Sequence, residues 1–338
     1  MTDRPIIVAT RGSPLALAQT YFVLSLLRTT FPKLRFELKV IKTTGDKLQL
    51  AALAQQQTKL PKGLFTKELE VALLNHRADV AVHSLKDLPT DLPPGLKLAA
   101  IPKRANANDV IICRSPNRPE TDHSCCDRSS PEPRGLQNPL SDLSILPTGA
   151  TIATSSTRRK AQLLEYRPDL QIIDIRGNVT TRLEKLAESP KIHAIVLAQA
   201  GLDRLNFQIT PNARLTGDAA PPNLRAFPIP ANILIPCVGQ GAIGLEIRAD
   251  DERMDSICAR VDHYSSRQCV MAERAFLRAM GGGCQSPVAA YAEVVDEKIH
   301  MLAVSYRTGT PRRAEGKRHV SEAVILGEEL ATALRDDP

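Results

Sequence analysis

The chain has 338 residues, 43% hydrophobic and 24% charged, which is the balance of a soluble globular protein long enough for two or three domains. Aromatic residues make up 4% with no Trp, too few for base-stacking nucleic-acid platforms, and no apolar run reaches the length of a membrane span. The net charge of +7 admits polyanionic partners, but the basic residues form no single block.

Ile6 to Ala9 reads as a strand, closed by the turn Thr10-Arg11-Gly12-Ser13-Pro14. A helix is predicted from about Leu15 to Arg28, with Ser13 as N-cap and Pro14 at its first position. Phe36 to Thr43 alternates as a strand, Leu64 to Asn75 has helical periodicity, and Asp79 to His83 reads as a short buried strand. Arg114 to Pro139 loses all periodicity and reads as a mobile insertion or linker. Order resumes at Ala150 to Ala153. A helix from Thr157, a strand from Gln171 to Ile175, a helix from Val179 to Glu188 and a strand from Ala194 to Ala198 follow. A third region begins near Asp250, with a helix from Ser266 to Met280 and strands from Val288 to Val295 and His300 to Ser305. Strands alternating with helices predict a mainly parallel α/β sheet, here in two α/β domains followed by a smaller α+β domain.

Seven cysteines with no C-x-x-C pair, two of them vicinal at Cys125-Cys126, argue against a disulfide framework or a zinc site. No other metal site is expected. The N-terminus has no apolar core of a signal peptide, so a cytoplasmic setting is expected.

Three features carry chemistry. In Ser155-Ser156-Thr157-Arg158-Arg159-Lys160, three cations crowd a predicted helix N-terminus, where they oppose the macrodipole. Such a segment is either a solvated basic end or a site that holds an anion. Arg11 with Ser13, and Arg176 with Arg182, repeat the placement after other strands. Arg11, the Ser155 to Arg159 segment and Arg176 fall at the carboxyl ends of strands, where open α/β sheets bind ligands. Guanidinium forks there suit a molecule with several carboxylates or phosphates. His83-Ser84-Leu85-Lys86-Asp87-Leu88-Pro89 leaves the same sheet edge. Asp87 is either half of a surface Lys-Asp pair or a carboxylate facing the crevice, suited to a substrate N–H and to a developing positive charge. Gly281-Gly282-Gly283-Cys284-Gln285-Ser286-Pro287 either turns the chain around a small thiol or presents that sulfur to a bulky group.

These segments resemble the signatures of the porphobilinogen deaminase (hydroxymethylbilane synthase) family: Val82 to Pro89, Thr154 to Arg159, Ile175 to Arg182 and Gly282-Gly283-Cys284. Thr10 to Ala16, Thr43 to Asp46, Lys62 to Glu68 and Val238-Gly239-Gln240-Gly241 add to the resemblance, in order along nearly the whole chain. It implies an enzyme that joins four porphobilinogen molecules head to tail with loss of ammonia, then hydrolyses off the linear tetrapyrrole of haem biosynthesis. It further implies a dipyrromethane cofactor held by a thioether to Cys284, and Asp87 as the catalytic aspartate. Arg11, Ser13, Lys62, Lys86, Ser156, Arg158, Arg159, Arg176, Arg182 and Arg204 match positions that bind acetate and propionate side chains.

The implied fold is two α/β domains like those of type II periplasmic binding proteins, plus a smaller α+β C-terminal domain. The expected bounds are 1–113 with 227–245 for the first domain, 114–148 for a linker, 149–226 for the second domain and 246–338 for the third. A monomer without membrane or nucleic-acid partners is implied. Departures from the family pattern are the long 114–139 segment, Thr58 to Pro61 in place of a glycine-rich loop, and His193 where an acidic residue is common. Two rivals remain: a solute-binding module that uses the same cleft without catalysis, and a nucleic-acid binder suggested only by charge.

Overall fold

In the computed structural model, which describes residues 4–43, 66–114, 146–283 and 286–335, each apolar alternation feeds two layers. β1 (Ile6–Arg11) runs parallel to β2 (Phe36–Ile41) and β3 (Val80–Ser84). Successive strand residues point to opposite faces. Val8, Val80 and Val82 therefore meet Val23, Leu24 and Leu27 of α1 (Pro14–Thr30). Ala9 and Ala81 meet Leu69, Ala72 and Leu73 of α2 (Lys67–Leu74) on the other face. Ser13 caps α1 by accepting the Ala16 N–H at 3.3 Å, and Pro14 is its first residue, as the sequence predicts. Leu64 and Phe65 of the expected second helix lie outside the described residues, as does most of the 114–139 segment.

β4 (Leu96–Ala100) ends the first run, and β5 (Asp109–Arg114) opens a second sheet. There β6 (Thr151–Ala153) pairs parallel with β7 (Gln171–Ile173) and β8 (Ala194–Ala198). α3 (Thr157–Tyr166), α4 (Val179–Glu188) and α5 (Gln199–Arg204) connect or follow these strands. The short pair β9 (Gln208–Ile209) and β10 (Leu215–Thr216) precedes β11 (Leu224–Ile229), which lies antiparallel to β5. The chain then returns: β12 (Ile243–Arg248) inserts antiparallel between β3 and β4.

The sheet orders are β2-β1-β3-β12-β4 and β7-β6-β8-β5-β11. In both, the first strand sits between the second and third, and an antiparallel strand enters from the other half of the chain. This is the type II periplasmic-binding-protein arrangement. Two crossovers, 101–108 and 230–242, join the sheets.

The strands divide differently from the expected bounds. β5 and Phe227 to Ile229 belong to the second sheet, because β5 pairs with β8 and β11 rather than with any strand of the first. β12 runs on to Arg248 in the first sheet. α6 (Glu252–Ala259) also covers that sheet, burying Met254, Ile257 and Cys258 in its core. The α+β unit thus begins with α7 (Tyr264–Ala279), not near residue 246. It packs α7 and α8 (Ala323–Leu334) on the antiparallel sheet of β13 (Val288–Val295), β14 (Lys298–Ser305) and β15 (Arg312–His319).

Candidate active site

Three strands, β1, β3 and β6, lead at their carboxyl ends into segments that carry the expected site residues. β1 ends at Arg11. β3 ends at Ser84 and turns at once into the 3₁₀ segment Leu85–Asp87. Leu85 and Leu88 are 2% and 3% exposed, so they anchor this turn in the core and hold Asp87 out between them. Arg11, Ser13, His83, Ser84 and Asp87 line one pocket. The expected juxtaposition of Arg11 with Asp87 is therefore present.

On the second sheet, β6 leads into α3, whose N-cap Ser156 accepts the Arg159 N–H at 3.3 Å. Arg158 and Arg159 do not project freely. They are 4% and 7% exposed and converge on Asp109 at the start of β5. Arg159 Nη2 donates to Asp109 Oδ1 at 2.6 Å. Arg158 Nη1 forms an ion pair with Oδ2 at 2.8 Å without hydrogen-bond alignment. Carbonyls of Ile235 and Val196 accept from Arg158 and Arg159, each at 2.7 Å. The Nε atoms of both arginines stay buried without a partner among the described residues.

Arg182, on α4, differs from Arg158 and Arg159 in facing no carboxylate among the described residues. Its side chain makes no hydrogen bond or ion pair among the described residues, and its Nε is buried and unpartnered. Burial, helped by repulsion from Arg159, pushes its guanidinium down to about 10. Burial does the same to Arg204, also to about 10, against the partial support of Asp203. Arg204 donates to the Gly241 carbonyl at 2.8 Å. Lys86 is lowered by burial and by Arg159, with Asp87 opposing. Lys86 thus couples electrostatically to both halves of the crevice.

The Val238-Gly239-Gln240-Gly241 segment is the return crossover pressed against the Asp87 turn. Gly239 has φ +71°, and a Cβ there would lie 3.1–3.2 Å from Leu85 and the Lys86 nitrogen. Gly241 has φ +81°, and its Cβ would lie 2.6 Å from the Ala105 carbonyl oxygen of the other crossover. Only glycine tolerates both the positive φ and the contact. Gln240 Nε2 adds a bond to Asp109 Oδ1 at 2.9 Å.

The third unit is tied to the same place. Arg274 on α7 donates to the carbonyls of Leu88 (3.1 Å), Pro89 (2.6 Å) and Thr90 (3.2 Å), directly after Asp87. Glu273 is fully buried and accepts from Arg104, from the Gly239 N–H at 2.7 Å and from the Ala292 N–H at 2.9 Å. α7 leads into the glycine run, where Gly283 and Ser286 are joined by two hydrogen bonds.

Cys284 and Lys62 lie outside the described residues. Arg176 is exposed and lines a separate groove with Asp174, Lys185 and Glu188. The Ser13 and Ser156 hydroxyls serve as helix caps. His193, the departure before β8, accepts the Thr151 N–H on Nδ1 at 3.0 Å and so fastens β6. Asp109, Gln240, Glu273 and the role of Arg274 escape sequence reasoning. A usable signal for Asp109 was a carboxylate heading the apolar run Val110 to Cys113, since a buried acid requires partners.

A profile described as "Porphobilinogen deaminase, dipyromethane cofactor binding domain" matches residues 6–256, and its C-terminal-domain counterpart matches 267–336. Relatives named porphobilinogen deaminase include that of Desulforudis audaxviator, 43% identical over 98% of this chain and 94% of its own. That of Thermus thermophilus is 40% identical over 97% and 94%. Among solved structures, the BenM effector-binding domain with benzoate is 14% identical over 77% of this chain and 91% of its own, at a TM-score of 0.39.

Proposed function

The chain belongs to the porphobilinogen deaminase family, and on that premise we propose that Asp87 is its catalytic carboxylate, Cys284 its cofactor anchor and the crevice arginines its carboxylate binders. The activity is hydroxymethylbilane synthase: four porphobilinogens are joined onto a dipyrromethane primer with loss of ammonia, and the tetrapyrrole is released by hydrolysis. The observation that carries the reading is Arg182, a half-buried cation close enough to Arg159 to feel its charge and with no counter-charge among the described residues.

The residues fit the cofactor. Every pyrrole unit brings two carboxylates, and the buried Nε atoms of Arg158, Arg159 and Arg182 are donors without acceptors among the described residues. Arg11, Ser13, Lys62, Lys86, Ser156, Arg176 and Arg204 complete the proposed set. When bound, the dipyrromethane supplies the nucleophilic carbon on which the chain is built. Asp87 accepts pyrrole N–H bonds and stabilises the cation left by deamination. Its exposure in the free protein lets substrate reach it, while Leu85 and Leu88 fix its position. Arg274 and Glu273 keep the cysteine-bearing unit in register with that turn. Arg158 and Arg159 are oriented in advance by Asp109, so little reorganisation accompanies binding.

The two crossovers form the natural hinge by which the sheets separate as the product lengthens. Substrate is porphobilinogen. One chain supplies both faces of the crevice, which supports a monomer; sedimentation at working concentration tests this. The cysteines at 113, 237, 258 and 269 are free thiols, in keeping with a cytoplasmic setting. Asp87→Ala tests the assignment. Turnover of porphobilinogen is expected to fall at least ~10²-fold, the scale of losing one preorganised electrostatic group. The circular dichroism spectrum should be unchanged, because Asp87 is exposed. Near-normal turnover would remove Asp87 from the mechanism.

A further inference from the structure

The wall of the Asp87 pocket contains an acid–base pair that the mechanism above does not use. His83 lines the pocket near the end of β3, and its Nε2 lies 3.0 Å from Glu246 Oε2 on the neighbouring β12. The two side chains are 3% and 0% exposed. Glu246 Oε1 is buried with no partner among the described residues. His83 makes no second side-chain hydrogen bond there, which leaves Nδ1 unengaged.

Glu70 on α2 is a second buried carboxylate; burial pushes its carboxyl up, and Glu246 adds to the rise. Its partner Thr66 lines the same pocket. From the other elements, Arg11 on β1 and Asp87 on the 3₁₀ turn line the same pocket, and Glu68 on α2 adds to the negative charge near Glu70. A fully buried carboxylate with an idle oxygen is costly unless a positive charge faces it. An imidazole that donates Nε2–H to that carboxylate keeps Nδ1 as a base of fixed tautomer, and protonating it gives Glu246 its counter-charge.

We propose that His83 is the proton acceptor of the condensation and Glu246 its positioning residue. The proposal rests on the porphobilinogen deaminase reading. Once the new carbon–carbon bond has formed, the α-carbon of the accepting pyrrole still carries hydrogen. After the first addition, that pyrrole is itself derived from substrate. The C–H bond breaks, its electron pair restores the aromatic ring, and the proton passes to His83 Nδ1, directly or through one water. The imidazolium lies against Glu246 and hands the proton to the ammonia already released, which departs as ammonium. Asp87 keeps its own part, holding N–H groups and the cation.

Two readouts test this on the full-length protein. In ¹H–¹⁵N spectra of the imidazole nitrogens at pH 8, the free protein should carry the His83 proton on Nε2 with Nδ1 bare; a proton on Nδ1 overturns the proposal. His83→Gln should lower kcat ~10²–10³-fold with KM within about threefold, the range of a lost general base. A kcat within threefold of wild type overturns it. If His83→Gln does not fold, the near-isosteric Glu246→Gln decides. Its kcat should fall and the acid limb of its pH profile should move to lower pH, because a neutral amide no longer favours the imidazolium. An unmoved acid limb overturns the proposal. A wild-type protein that consumes no porphobilinogen contradicts the family reading instead, so the two failures are distinguishable.

Discussion

Asp109→Asn takes one negative charge out of a fully buried site. The carboxylate is 0% exposed and holds Arg159 Nη2 at 2.6 Å, Gln240 Nε2 at 2.9 Å and Arg158 Nη1 at 2.8 Å. The amide keeps the shape but leaves two guanidiniums, 4% and 7% exposed, side by side without a counter-ion. Breaking a buried ion pair from one side costs about 3–5 kcal/mol. At a urea dependence near 3 kcal/mol per molar, that lowers the unfolding midpoint by roughly 1–1.7 M. Far-UV circular dichroism is the appropriate probe, since the chain has no Trp.

The pH dependence gives a second check on the same residue. Burial alone would raise the Asp109 carboxyl; Arg158 and Arg159 outweigh it and hold the group well below the usual carboxylate range. Its native value is therefore depressed relative to the unfolded value of about 3.9. The stabilisation is fully present above that value and is lost as pH falls below it towards the native value. Wild type should lose stability through that window, and Asp109→Asn should lose less of it. A midpoint within ~0.3 M of wild type, with an unchanged acid slope, would refute the reasoning.

Arg182→Gln should separate stability from function. Removing a half-buried cation that only repels Arg159 is expected to raise stability by up to ~1 kcal/mol, as at other function-serving sites, and to raise KM for porphobilinogen. Thermal melting and steady-state kinetics check both, and lower stability with unchanged KM would contradict the assignment. Gly241→Ala should cost ~1–3 kcal/mol, because its Cβ would lie 2.6 Å from the Ala105 carbonyl at φ +81°. Urea unfolding measures the loss, and a neutral result would mean the crossovers are not in contact in solution.

The sequence made the local elements legible because their signals are local. Ser13-Pro14 marked the start of α1, the Val8 and Ala9 alternation marked a two-faced strand, and Val179 to Glu188 is helical over the expected residues. It misplaced the ownership of β5 and of Phe227 to Ile229, because an apolar run shows burial but not which sheet buries it. The site divided in the same way. Arg11 and Asp87 were visible as residues that follow strands. The partners that engage Arg158 and Arg159 were not, since Asp109 and Gln240 stand 131 positions apart and meet only when both crossovers are laid side by side. The basic N-terminus of α3 is accordingly neither simply solvated nor simply waiting for an anion: its terminal nitrogens are engaged within the protein, and its Nε atoms are not.

The central claim is that this crevice works on a primer attached through Cys284. Intact mass of the purified protein measures that directly. The account expects a single adduct of two pyrrole units on the wild-type chain and none on Cys284→Ser, with turnover lost in the variant. An active wild-type protein of unmodified mass, or an adduct that persists in Cys284→Ser, would contradict it.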